Sequence, residues 1–431
     1  MATISQAPAL GVNPGMTQGL KTSTEHVEHV EHVEDKASTG EKTSLLGLKN
    51  IETEAYVVDQ VNADFELVPI ILDEIRPNEV LVEMKYSGVF IDSIAGHTDI
   101  VTQQGGLPFV EFPAIFGHEG AGVVRDIGRD VQIKDLAIGD AVLLSFNHCG
   151  SCKTCTSGHS ALCPDASMIN INSVRVGDRS TPARLASDGR AVRSQFFGQS
   201  SFCKMSVVNE RSVVRCPPSA IEHMGVYAPL GCGLQTGAGT VMNVVKPGKE
   251  DSIIIFGLGS VGLAALMAAR YLETGQIIAV DIVPERLELA KELGATHTIN
   301  SRESGDIVQK IKKMSNGGPT FAVECTGILK VIEDMIACIG PLGLAVQVGV
   351  PPPGAAIKLD AQEFLIGNKR YVGIIEGDAV PAEFIPLLIS MHQEGRFPID
   401  KFARFYPASQ LNHAIQEMAA GKVIKPVIQW S

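Results

Sequence analysis

The stretch Ile253-Ile254-Ile255-Phe256-Gly257-Leu258-Gly259-Ser260-Val261-Gly262, running on to Val280-Asp281, decides the fold. Its four leading apolar residues predict a buried parallel strand, and Leu263 to Arg270 predicts the helix that follows. Between strand and helix, Gly257, Gly259 and Gly262 are spaced as G-x-G-x-x-G. In that spacing the first glycine makes a tight turn, the second lets the backbone approach a pyrophosphate, and the third brings helix and strand together. The phosphates then sit at the helix N-terminus, where unpaired N–H groups and the helix dipole favour negative charge. A lone glycine pattern often marks an ordinary turn. Here a second strand, Gln276 to Val280, ends at Asp281, nineteen residues past Gly262. A carboxylate there accepts hydrogen bonds from the ribose hydroxyls and repels a 2′-phosphate, so the cofactor expected is NAD and not NADP.

Working outward, strand and helix alternate. A helix over 284–294 carries Arg286, placed either to help hold the adenosine ribose or simply as a solvated helix charge. A strand over 296–300, a helix over 305–314 and a strand over 321–325 follow. The expected last strand, 344–350, ends where it would line a nicotinamide pocket. This alternation predicts an α/β fold, a Rossmann doubly wound parallel sheet.

At 431 residues the chain has room for two cores, and its 45% hydrophobic content fits a packed globular protein. The net charge of −12, with no basic stretch to offset it, argues against nucleic acid or an anionic membrane as partner. No run approaches the roughly 18 apolar residues of a membrane span, and no basic-then-apolar leader opens the sequence. A cytoplasmic location is expected, where nine cysteines serve as thiols or metal ligands rather than disulfides. Residues 1–45 differ from the rest: they are polar, carry the triplets His26-Val27-Glu28, His29-Val30-Glu31 and His32-Val33-Glu34, and predict a disordered tail.

Ahead of the glycine-rich unit the pattern is of short strands: Glu54 to Val58, Glu66 to Ile70, Glu79 to Met84 and Gly139 to Leu144. They predict a β-rich domain. At a glycine-rich bend inside it stands Gly117-His118-Glu119, a weak metal signal alone. The strongest metal signal is Cys149-x-x-Cys152-x-x-Cys155 followed by Cys163, four thiols within fifteen residues. That spacing predicts a closed tetrahedral zinc site of structural type, with an iron–sulfur cluster or a redox pair as alternatives. Cys232, between Gly231 and Gly233, either packs as a small residue or joins His118 at a second metal.

Taken together, these elements resemble the zinc-containing medium-chain alcohol dehydrogenases, over residues 48–431. Phe196-Phe197-Gly198-Gln199-Ser200-Ser201-Phe202 and Glu376-Gly377-Asp378-Ala379-Val380-Pro381 are most similar to the aryl (benzyl) alcohol dehydrogenase branch. The resemblance implies a GroES-like catalytic domain over 46–233, an NAD-binding Rossmann domain over 234–376 and a return to the catalytic domain over 377–431. It implies a catalytic zinc on His118 and Cys232 with Glu119 beside it, and a primary, aryl alcohol exchanged with its aldehyde by hydride transfer to the nicotinamide. Thr98 would relay the alcohol proton, His97 would face the pyrophosphate, and Lys425 would stand near the pyrophosphate as a base. A homodimer or homotetramer is also implied.

One departure matters. The family places a first zinc cysteine immediately before His-Thr-Asp, but here Gly96 precedes His97-Thr98-Asp99, and no cysteine occurs before Cys149. Residues 90–96 stand where a single cysteine is expected. Either the chain uses a substitute such as Asp92 or Asp99, or a misplaced splice junction has put seven codons where one belongs. Val101 also replaces the histidine that often ends the proton relay. The rival expectations are an NAD-binding family member whose catalysis is impaired and a zinc-free reductase of the same superfold.

Overall fold

The computed structural model describes residues 44–90, 98–107 and 110–430. The tail triplets, Asp92, Gly96 and His97 lie outside these residues, and Thr98 is described only as the first residue of the helix Thr98–Gln103.

The strand Ser252–Phe256 is buried along its apolar run because helices cover both faces of a parallel sheet. Its neighbours are Gln276–Asp281 on one side and Phe321–Glu324 on the other, all parallel. The complete order is His297–Asn300, Gln276–Asp281, Ser252–Phe256, Phe321–Glu324, Leu344–Gln347 and Arg370–Gly373. The order reverses beside Ser252–Phe256, and a crevice at such a reversal is where doubly wound sheets bind ligands. The helix Ser260–Tyr271 is buried from Ser260 to Ala269, consistent with its apolar composition on every face. Helix Pro284–Leu293 starts with proline at its first position and stops at Gly294, whose φ of 116° ends it.

The sheet continues past the expected last strand. Arg370–Gly373 adds a sixth, parallel to Leu344–Gln347, and Leu344–Gln347 itself ends before Val348. The sixth strand is four residues long and largely exposed, so it lacks the apolar run by which the others announce themselves.

The β-rich part holds a five-stranded and a seven-stranded sheet. Glu79–Gly88 is central to the larger one, pairing antiparallel with Gly120–Ile127 and with Met205–Asn209. The C-terminal strand Lys425–Gln429 also pairs with it, Val427 opposite Gly88. The end of the chain is thereby stitched into the sheet that carries the Gly117-His118-Glu119 bend. Among the described residues, no helix is long and apolar enough to cross a membrane.

Candidate active site and metal centres

The dinucleotide fingerprint closes as the glycine spacing requires. Gly257 has φ 85°, a left-handed conformation that side chains resist, and a Cβ on Gly262 would lie 1.8 Å from the Gly257 carbonyl oxygen. Gly259 caps the helix Ser260–Tyr271. A cavity of about 600 Å³ opens over this turn, lined by Gly257, Gly259, Asp281 and Arg286, and on the far side by Gly421 and Ile424. Asp281 is fixed in the cavity wall: one carboxylate oxygen accepts the Leu258 N–H at 2.6 Å, the other the N–H groups of Ile282 and Val283. The Arg286 guanidinium stands 4.0 Å from Asp281, and its Nε is buried without a partner among the described residues.

The four thiols of Cys149, Cys152, Cys155 and Cys163 all lie within 4.8 Å of one another, and the cluster fits a zinc site. Backbone N–H groups turn inward to the sulfurs, Cys152 to Cys149 and Cys155 to Cys152. The N–H groups of Ser151 and Cys152 pull the Cys149 thiol down to about 6, toward the thiolate a metal needs. Burial pushes Cys155 up to about 12 instead. Without a metal some of these sulfurs keep their protons, and all four become thiolates together only around a cation.

A second locus gathers residues from distant parts of the chain. His118 is fully buried, its Nδ1 3.0 Å from Asp99 Oδ1, and its Nε2 has no partner among the described residues. That pairing leaves Nε2 as the ring nitrogen available to a ligand. Burial pulls the His118 ring down, but the carboxylates of Asp99, Glu119 and Glu376 outweigh it and leave the ring raised. Positive charge on Nε2, a proton or a metal, is therefore favoured. The ring stacks at 4.6 Å on Phe197 and meets Phe90 and Phe196 edge-on. Gln199 buttresses the bend, accepting the Gly120 N–H and donating to the His118 carbonyl. The Phe196–Phe202 stretch thus wraps the histidine.

Cys232, ahead of the helix Gly233–Gly239, is buried with its thiol 3.3 Å from Glu376 Oε1. Burial holds that thiol well above its usual range, and the carboxylates of Glu376 and Glu119 add to the effect. Glu376 is buried as well and is raised for the same first reason.

The surroundings of two further expected residues are specific. Asp99 stands on the Nδ1 side of His118: its Oδ1 meets the ring nitrogen and accepts the Gly117 N–H, while its Oδ2 has no partner among the described residues. Lys425 does not line the dinucleotide cavity. Its ammonium is buried 2.9 Å from Glu119 Oε1 and 2.7 Å from Oε2, and 4.7 Å above the Phe90 ring. A buried carboxylate requires a partner more than a solvated phosphate site requires a lysine, and the strand Lys425–Gln429 delivers one. Glu119 also accepts the Gly233 N–H at 3.0 Å. Glu376 had no role on the page of the sequence beyond its place in a branch-like motif. Its only local signal is an acidic residue inside an apolar-flanked Ile374-Ile375-Glu376-Gly377 turn.

Residues 76–218 match the alcohol dehydrogenase GroES-like domain, and residues 260–393 match the zinc-binding dehydrogenase domain. A geraniol dehydrogenase of Castellaniella defragrans is 36% identical over 379 residues, 88% of this chain and 98% of the relative. The crystal structure of an alcohol dehydrogenase zinc-binding domain protein from Burkholderia ambifaria superposes with TM-score 0.83 at 39% identity, covering 88% of this chain and 99% of that one. The benzyl alcohol dehydrogenase of Acinetobacter calcoaceticus superposes with TM-score 0.82 at 35% identity, covering 88% and 100%. The chain belongs to the zinc-containing medium-chain alcohol dehydrogenases, NAD-dependent oxidoreductases that act on alcohols.

Proposed function

We propose that this protein interconverts a primary alcohol on an aryl or similarly unsaturated carbon with its aldehyde, using NAD and a zinc held in part by His118 and Cys232. The observation that carries the reading is the buried His118, its Nε2 unpartnered among the described residues and its ring walled by Phe90, Phe196 and Phe197. Zinc, when bound, supplies a Lewis acid at the alcohol oxygen. The chain's own residues do the remainder. Asp99 holds the imidazole in one tautomer and orientation. Lys425 neutralises Glu119 beneath the site, and the aromatic wall excludes water and offers ring faces to an aromatic substrate. The family resemblance assigns the hydroxyl proton to Thr98 and the pyrophosphate contact to His97. The Gly257, Gly259 and Gly262 turn, with Asp281 and Arg286, would hold the dinucleotide, which would supply the hydride acceptor. The named activities of the two relatives, on geraniol and benzyl alcohol, share a carbinol next to an unsaturated carbon and support the same class here. With the NAD cofactor supplied, kcat/KM for benzyl alcohol is expected to exceed that for ethanol by about tenfold or more, from apolar and aromatic contacts worth ~1–3 kcal/mol. Equal values would remove the aryl assignment.

We also infer a homo-oligomer that assembles through the sixth strand. Arg370–Gly373 is the edge of its sheet, and Leu365, Ile366 and Ile375 beside it are 78%, 76% and 55% exposed. An open edge beside apolar side chains invites pairing with a second copy. The second functional reading, a member with impaired catalysis that keeps NAD and the four-cysteine zinc, is favoured by a single fact: the absent cysteine before His97.

A further inference from the structure

One wall of the dinucleotide cavity lies outside the glycine fingerprint. The strand Phe321–Glu324, parallel to Ser252–Phe256, ends at a glutamate that is fully buried. Among the described residues no cation pairs with its carboxylate, which instead folds the following chain back on itself. Glu324 Oε1 accepts the N–H and the hydroxyl of Thr326 and, at 2.9 Å, the Gly327 N–H. Oε2 shares that Gly327 N–H at 3.2 Å. Thr326 Oγ1 in turn accepts the Ile328 N–H at 3.1 Å. Cys325, Thr326 and Ile328 all line the cavity.

The same residue holds the neighbouring loop. Its carbonyl accepts the N–H groups of Val348 at 2.8 Å and Gly349 at 3.0 Å. The two loops meet where neither has room for a side chain. A Cβ on Gly349 would lie 2.1 Å from the Gly327 nitrogen, and one on Gly327, whose φ is 66°, 2.5 Å from the Val350 carbonyl oxygen. On the other side the Thr326 methyl packs on the fingerprint, 2.6 Å from where a Cβ on Gly257 would stand. The first fingerprint glycine and the loop after Leu344–Gln347 are thereby braced on one acidic residue. A turn of this kind is ordinarily held by Asn, Asp or Ser at a surface, and a buried charge is more than it needs.

We propose that Glu324 is a positioning residue for the dinucleotide, holding the 325–327 wall in its binding shape as a carboxylate and loosening it on taking up a proton. The proposal rests on cofactor binding and not on a metal at His118. A carboxylate only accepts, which suits the Thr326 and Gly327 donors, whereas a protonated carboxyl turns one oxygen into a donor and gives up part of that grip. Burial pushes the Glu324 carboxyl up to about 7, against the hydrogen bonds from Thr326 and Gly327, so the change falls in the neutral range. Phe256 and Gln347 stand opposite it on the flanking strands and do not titrate. The titratable group facing it is the Tyr371 phenol, bonded to Gln347; burial and then the Glu324 charge raise it, so it stays neutral throughout. By linkage, NAD binding breaks the carboxyl O–H bond and sends that proton to solvent.

The test is NAD affinity by calorimetry on the full-length protein, about one pH unit either side of 7, for wild type and Glu324→Gln. The glutamine amide stays neutral at every pH, as the protonated carboxyl is. Wild type is expected to bind about two- to tenfold more weakly on the acid side, the loss of about one hydrogen bond, and to release a proton on binding near neutrality. Glu324→Gln is expected to keep the weaker affinity across the range and to release no such proton. Equal affinities for the two proteins on the alkaline side, or the same pH profile in both, would overturn the proposal. If Glu324→Gln does not fold, Thr326→Val decides the matter. With one donor to the carboxylate removed, the midpoint of the NAD profile is expected to rise, and an unchanged midpoint overturns the proposal.

Discussion

A buried imidazole with one nitrogen tied and the other facing no partner loses the hydrogen bond that water would give it, a cost of about 1–3 kcal/mol unless something else occupies that nitrogen. For His118 the hydrogen bond that orients the ring comes from Asp99. Asp99→Asn is therefore expected to weaken zinc retention at the catalytic locus by about 10–100-fold while the four-cysteine lobe keeps its metal, as read by chelator competition. Glu324 offers a separate residue-scale check on stability. Burial pushes its carboxyl up to about 7 from 4.5, against hydrogen bonds from Thr326 and Gly327. The folded chain then holds a proton that the unfolded chain has lost, so stability from this group is full below about 4.5 and falls as pH rises through about 7. Glu324→Gln is expected to flatten that slope, worth at most about 3 kcal/mol, in denaturation midpoints measured across the window.

At the scale of elements, the strand Lys425–Gln429 does two things at once: it closes the larger sheet and carries the ammonium that neutralises Glu119. Lys425→Met leaves a buried carboxylate unpaired, and a loss of about 3–5 kcal/mol is expected in urea unfolding, much of it recovered by adding Glu119→Gln. The turn into the helix Ser260–Tyr271 admits no side chain at Gly262, and Gly262→Ala is expected to cost about 1–3 kcal/mol and to weaken NAD binding in a fluorescence titration. Those glycines, Asp281 and the four cysteines were legible in the sequence because each signal is local: fixed spacing within one turn, one strand end or one loop. The Asp99–His118 and Lys425–Glu119 pairs join residues 19 and 306 positions apart, and Glu376 reaches Cys232 across 144. No period or spacing encodes such meetings, which follow only once the sheets have formed. The sixth strand was missed for a different reason, its short and exposed Arg-Tyr-Val-Gly pattern.

For the whole molecule, the exposed edge at Arg370–Gly373 is where the proposed oligomer would form. Ile366→Glu, at a side chain 76% exposed in the single chain, is expected to leave a lone subunit's stability within about 0.5 kcal/mol but to lower the solution mass to that of one subunit by light scattering. The proposed function has the nucleotide crevice and the buried His118 locus work together on an alcohol, with the four-cysteine cluster apart from both. The most direct measurement follows NADH formation from benzyl alcohol by the full chain, before chelation, after removal of the accessible zinc, and after zinc is restored. The account predicts turnover, loss of turnover and its return. Turnover that survives loss of the accessible zinc, or no turnover in a chain that binds NAD and holds both zincs, would contradict it.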